Sequence, residues 1–170
     1  METVITTIII VGVLVLAIVG LAQSSLSAQT SIAQSSGAMQ ERAGDRARTN
    51  LLSLYGRTTP LGDYVELTLR NSGSTKLSNF NQWDVVLQYS DGASTQVKWY
   101  PYGSAVNQWN QQIYLTASPP VAEVFEPGIF NPGEEMVITV GVSPKVGTGT
   151  TNIAVVATPN GITASTVYTH

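Results

Sequence analysis

Residues able to carry acid–base, nucleophilic or metal chemistry are sparse in this chain, and their spacing assembles no reaction centre. The single histidine is His170, at the C-terminal end of the sequence. A Ser–His–Asp relay and a His-rich zinc site both need an imidazole held among partners, so neither is available. There are eleven carboxylates, and the nearest pairs beyond the N-terminal segment are Glu123/Glu126 and Glu134/Glu135. Single carboxylates on strands and in turns read as surface charges. No glycine-rich phosphate loop is present, and no Asn is followed at the third place by Ser or Thr, so any glycan would use another signal. With no cysteine, thiol chemistry and disulfides are absent as well. The expectation is a non-enzyme with no catalytic residues, no metal site and no cofactor.

One group of side chains offers binding rather than catalysis. Trp99-Tyr100-Pro101-Tyr102, with Trp109 and Tyr114, concentrates aromatic surface in a short stretch. Core and interface packing is the expected use, and a carbohydrate-binding face is the alternative. Charge supplies little else. Only 11% of residues are charged, against roughly 25% in ordinary soluble domains, and the net charge is −3. With no Lys/Arg cluster to hold phosphates, nucleic acid is excluded as a partner.

The elements that position these residues divide into two regions. From Thr3 to Gln40 there is no charged residue. Within this, 4–22 reads VITTIIIVGVLVLAIVGLA, interrupted only by Thr6 and Thr7, whose hydroxyls can bond back to a helix. Such a helix spans about 28 Å, close to a bilayer's hydrocarbon core. Hydrating its side chains would cost on the order of 20–40 kcal/mol. A secretory signal needs a basic n-region that Met1-Glu2 does not supply. A soluble core helix is not apolar on every face. A membrane anchor and a filament-forming helix remain, the second living in the membrane before assembly and in a bundle of copies afterwards.

The continuation favours the filament helix. No proline occurs until Pro60, and Leu26, Ile32, Met39, Ala43, Ala47 and Leu51 keep partly helical spacing. One helix is expected from about Glu2 to about Leu54, some 75–80 Å long. Its packing positions are Val4, Ile5, Ile8, Ile9, Val11, Gly12, Leu14, Val15, Leu16, Ile18, Val19, Gly20, Leu26 and Ile32. Small residues at Gly12, Gly20, Ala28, Ser35, Ser36 and Gly37 let backbones approach closely, and Gly37 and Gly44 are soft points for bending. Beyond them stand Glu41, Arg42, Asp45, Arg46 and Arg48, read as a solvated collar, with an intersubunit ion-pair ring as the sharper alternative.

After Tyr55-Gly56 the texture changes to short β-rich runs. Strands are expected at 64–71, 83–89, 94–100, 108–115, 121–125, 136–142, 152–157 and 162–168. Val65, Leu67 and Leu69 alternate with Glu66, Thr68 and Arg70; Trp83, Val85, Leu87 and Tyr89 alternate with Asp84, Val86 and Gln88. Ser90-Asp91-Gly92, Asn131-Pro132-Gly133 and Pro159-Asn160-Gly161 are turn signals. The pattern predicts an α+β chain: a polymerisation helix over 1–55, then an immunoglobulin-like antiparallel sandwich over 56–170.

Several passages resemble the archaeal flagellins, or archaellins. The apolar helix is similar to their polymerisation domain. Asn71 and Gly73, Trp83-Asp84-Val85, Asp91-Gly92 and Asn131-Pro132-Gly133-Glu134 are similar to the N-x-G, W-D-V, D-G and N-P-G-E texture of their outer domains, as is Pro159-Asn160-Gly161-Ile162. The resemblance implies an immunoglobulin-like outer domain, export as a preprotein cut by a prepilin-type peptidase, an assembly machinery, and a homopolymeric motility filament at the cell surface. Adhesive type IV-like pilins and a membrane-anchored surface binding module are the alternatives. Two departures stand out. No basic residue or Gly precedes Met1, as expected of a processed or differently started chain. Glu2 is not at the fifth position, where bacterial type IV pilins carry a glutamate, and favours its own helix N-terminus instead.

Overall fold

The computed structural model describes residues 2–170. The expectation about Met1, and the placement of the Glu2 carboxylate at the helix N-terminus, lie outside what is described. The chain divides into two compact units, the first ending at Ala43 and the second running Gly44–His170.

One helix, α1 (Glu2–Arg48), occupies the N-terminal region. Hydroxyls inside it bond back to the preceding turn, as Thr7 Oγ1 to the Thr3 carbonyl (2.8 Å), Ser24 Oγ to Gly20 (3.0 Å) and Thr30 Oγ1 to Leu26 (2.9 Å). These polar side chains therefore cost the helix little in an apolar setting. Its apolar side chains from Val4 to Met39 are exposed all round.

The helix ends at Arg48, not near Leu54 as composition suggests, and Leu51–Thr58 is a strand, β1. The reason is tertiary. The Arg48 carbonyl accepts the Ser74 N–H (2.8 Å), and the Asn50 carbonyl accepts those of Ser72 and Gly73 (3.0 and 3.1 Å). These bonds satisfy carbonyls that a helix end would otherwise leave unpaired. Thr49 turns its hydroxyl to the Asp45 carbonyl and receives the Asn160 side-chain amide, both at 2.8 Å. Gly73 is obligatory there, because a Cβ would lie 2.5 Å from the Arg48 oxygen and the Asn50 nitrogen.

The remaining strands are β2 (Tyr64–Asn71), β3 (Asp84–Ser90), β4 (Thr95–Tyr100), β5 (Trp109–Ala117), β6 (Pro120–Ala122), β7 (Glu135–Gly141), β8 (Thr151–Ala157) and β9 (Thr163–Thr169). All eight expected strands are found, with ends shifted by a few residues; the 121–125 run shortens to β6. They form a five-stranded sheet, β1-β2-β7-β5-β6, and a four-stranded sheet, β4-β3-β8-β9, every pairing antiparallel. This is the immunoglobulin order: A-B-E-D faces C′-C-F-G, with β6 as a short addition beside strand D. Period-two alternation sends Val65, Leu67, Leu69, Val85, Leu87, Ile138, Val140 and Trp109 into the core between the sheets. Tyr89, Tyr100 and Tyr168 join it, and burial pushes all three hydroxyls above their usual range.

Candidate functional site

Three surfaces of the chain are candidates for function: α1, the end of the β domain at the helix exit, and the outer faces of the two sheets. Along α1, Leu14, Leu16, Ile18, Leu26, Ile32 and the other expected packing positions are exposed, and a Cβ built on Gly12, Gly20 or Gly37 would meet nothing within 4 Å. By length and composition α1 is long and apolar enough to cross a membrane. Of the expected collar, Asp45 and Arg48 form an ion pair within the helix (2.7 Å). Among the described residues Glu41, Arg42 and Arg46 have no ion-pair partner in the chain.

The structure gathers much of the motif texture at the helix exit. Asn71 is fully buried. Its side-chain amide donates to the Thr75 and Phe130 carbonyls (both 2.9 Å), and its Oδ1 accepts the Gly73 N–H (3.1 Å). Its backbone donates to the Glu134 carbonyl (3.0 Å) and accepts from Gly133 (2.7 Å). One asparagine thus ties the 71–74 turn to the 131–134 turn. There Gly133 sits at φ +90° and Glu134 Oε2 accepts the Asn131 N–H at 2.7 Å. The exposed Pro132 forms the tip of that turn. Trp83 is buried nearby, its ring 5.2 Å from Phe80 and its Nε1 donating to the Ser78 carbonyl (3.1 Å). Val85 follows it into the core, while the Asp84 carboxylate receives the Trp99 indole N–H (2.8 Å). Asn160, from the Pro159-Asn160-Gly161 turn, completes the clasp with Thr49 and Asn50, and these last two are missing from the motif reading because their partners are distant in sequence.

Asp91 and Gly92 serve a different place, the β3–β4 hairpin. Asp91 Oδ1 accepts the N–H groups of Ala93 and Ser94 (2.8 and 2.6 Å), and Oδ2 accepts the Gln96 side chain (2.9 Å). The Ser94 N–H, above all, and then that of Ala93 hold this carboxyl down at about 2. Gly92 provides the positive φ of the turn.

The aromatic stretch does not form one face. Tyr100 and Trp109 are core residues, Tyr102 packs edge-on against Trp109 (5.0 Å), and Trp99 is 57% exposed on the outer side of the four-stranded sheet. Strand alternation sends neighbours to opposite faces. Tyr114 instead borders a groove of about 770 Å³ on the outer face of the five-stranded sheet. Tyr55 and Arg57 from β1 bound it on one side, and the β5–β6 hairpin, with Ser118 and Pro120, on the other. Among the described residues no group of His, Asp and Glu is placed to hold a metal ion.

An N-terminal helix followed by an immunoglobulin-ordered sandwich defines the fold, and solved structures share it. No protein-family model matches the chain, and no curated protein does. The structure is similar to the archaeal flagellum of Methanospirillum hungatei strain JF1 (TM-score 0.59, 13% identity), over 96% of this chain and 90% of that one. It is also similar to the archaellum periplasmic stator protein FlaG from Sulfolobus acidocaldarius (TM-score 0.52, 21% identity), over 70% of this chain and 98% of that one. The complex of FlaF and FlaG from the same organism matches as well (TM-score 0.52, 21% identity, 69% of this chain and 86% of that one). The likeness to archaellins read from the motifs is thus matched at the level of fold, and the neighbours are structural components of the archaellum.

Proposed function

We propose that this chain is the structural subunit of an archaellum-type motility filament outside the cell, polymerising through α1. The observation that carries the reading is the helix: 47 residues with its apolar side chains exposed on every face. Burial of that surface must come from a membrane before assembly and from copies of the same helix afterwards. Coverage supports a filament subunit over a stator protein, since the flagellum matches 96% of this chain and FlaG 70%. In this reading the apolar positions from Val4 to Ile32 pack in the filament core, and Glu41, Arg42 and Arg46 are free to pair between subunits. A prepilin-type peptidase and an assembly machinery process and add subunits. The second reading is an archaellum stator subunit, favoured by the two stator matches; adhesive pilin and anchored module follow it.

The test is microscopy of the purified protein beside Ile32→Pro. An anchor tolerates a breaker between Gln23 and Gln40, whereas a packed helix loses a backbone bond and gains a clash, about 3 kcal/mol or more per subunit. We expect filaments from the unmodified protein, and none or kinked ones from Ile32→Pro. Dispersed particles from the unmodified protein would favour the stator reading. Straight filaments of normal length from Ile32→Pro would end the continuous-helix account.

A further inference from the structure

We infer that the groove across the outer face of the five-stranded sheet binds a neutral oligosaccharide. The inference is independent of the filament reading, since it rests on the β domain alone. Strand register lays two ladders across the groove floor: Arg57, Glu66, Thr139 and Asn110 in one, and Tyr55, Thr68, Val137 and Gln112 in the next. Each crosses four strands, about 14 Å at the usual strand spacing, and the two lie about 7 Å apart. The volume of about 770 Å³ falls within the roughly 300–1,000 Å³ of small-ligand sites.

The chemistry of the lining selects the ligand. Arg57 and Glu66 pair with each other, as do Arg70 and Glu135 beside the groove, so no net charge is left to attract an ion. Among the described residues, the amides of Asn110 and Gln112 and the hydroxyl of Thr139 make no hydrogen bond within the chain. They are exposed or half-buried donors and acceptors already fixed on rigid strands. Tyr55 and Tyr114 flank this polar floor with aromatic surface. A ligand matching it must carry hydroxyls along its edges and apolar C–H surface on its faces, and must be uncharged. A pyranose chain has that pattern. A purely apolar ligand would strand the amides without partners.

The experiment uses the full chain in polyoxyethylene detergent, which has no sugar headgroup, titrated calorimetrically with maltohexaose, cellohexaose, mannohexaose and chitohexaose. Hexagalacturonate is the anionic comparator. We expect at least one neutral hexaose to bind with Kd of about 1 mM or tighter. Gln112→Ala and Tyr114→Ala should each weaken it by tenfold or more, and Trp99→Ala, on the other sheet, should leave it unchanged. Thermal melting controls for folding. Should Tyr114→Ala not fold, Gln112→Ala and Asn110→Ala carry the test, both side chains being exposed and without partners. The proposal is overturned by no heat with any neutral hexaose at about 10 mM, where a 1 mM site is mostly filled. It is equally overturned by preference for hexagalacturonate, by equal loss in Trp99→Ala, or by a change of self-association in Gln112→Ala, which would make the groove a protein interface.

Discussion

In the β domain Leu87 is wholly withdrawn from solvent, while in α1 Leu16, the same side chain, is 73% exposed. The contrast extends through both regions. Val65, Val85, Ile138 and Val140 each find partners across the sandwich, and α1 offers its valines and isoleucines none. The sandwich meets its need for burial within one chain; under the proposed function the helix meets it through other copies. Substitutions in the two regions should therefore be read by different instruments, melting for the sandwich and assembly for the helix.

The largest effect expected is from Leu14→Lys. In a bundle of copies the ammonium is buried without a counter-ion in every subunit, at several kcal/mol each. Filaments should be absent or very short by electron microscopy, while the β-domain melting temperature is unchanged. Filaments of normal length would show that Leu14 faces water. In the sandwich, Leu87→Ala removes a fully buried side chain and should cost about 2–5 kcal/mol in denaturant unfolding. That loss should appear as lower domain stability, with assembly still competent below the new melting point. Were assembly to fail there, the two regions would not be separable.

Asn71→Ala is next in size. It leaves the Thr75 carbonyl without its donor, while the Phe130 carbonyl keeps the Leu77 N–H and the Gly73 N–H keeps the Asn50 carbonyl, so a loss of about 1–3 kcal/mol is expected from denaturant unfolding. A loss as small as an exposed substitution gives would mean the turns hold without their tie.

Legibility from sequence follows the range of the interactions. Period-two alternation at 64–71 and 83–89 and the Asp-Gly turn are local, and they locate β2, β3 and the hairpin. The Leu51-Leu52-Ser53-Leu54 run keeps a helical composition, so β1 is invisible until residues 72–74 accept the task of ending α1. The strand closes the A-B-E-D sheet, and without it the groove has no Tyr55 side. Tyr55 and Tyr114 approach only through the pairing of β1, β2, β7 and β5. By contrast, Trp99-Tyr100-Pro101-Tyr102 looks like a site because it is contiguous, and alternation disperses it. Asn71 and Asn131 were legible as motif residues, but the bonds joining their turns were not.

The smallest effect separates the regions by pH. Between Thr3 and Gln40 the helix has no Asp, Glu, Lys or Arg, so acid can act on stability only outside that stretch. Within the β domain the Asp91 carboxyl is lowered from 3.8 to about 2, first by the N–H groups of Ser94 and Ala93 and then by Gln96. A group whose folded value is depressed stabilises the fold above its unfolded value and loses that contribution as pH falls through the folded one. The Asp91 contribution is therefore present above about pH 4 and is lost as pH falls through about 2. Because the carboxylate is solvent-exposed, the effect is modest. Asp91→Asn removes the charge and turns one acceptor oxygen into a donor facing Gln96. Its melting temperature should lie slightly below that of the unmodified protein at pH 7. The gap should narrow below about pH 4 and close as pH falls through about 2, where the unmodified folded carboxyl takes up its proton. Other carboxyls, such as Asp63, which the Thr59 hydroxyl also holds below the usual range, are present in both proteins and cancel in the difference. A gap that persists unchanged at pH 2 would assign the loss to the geometry of the turn, and the charge on Asp91 would have no part in the stability of the hairpin.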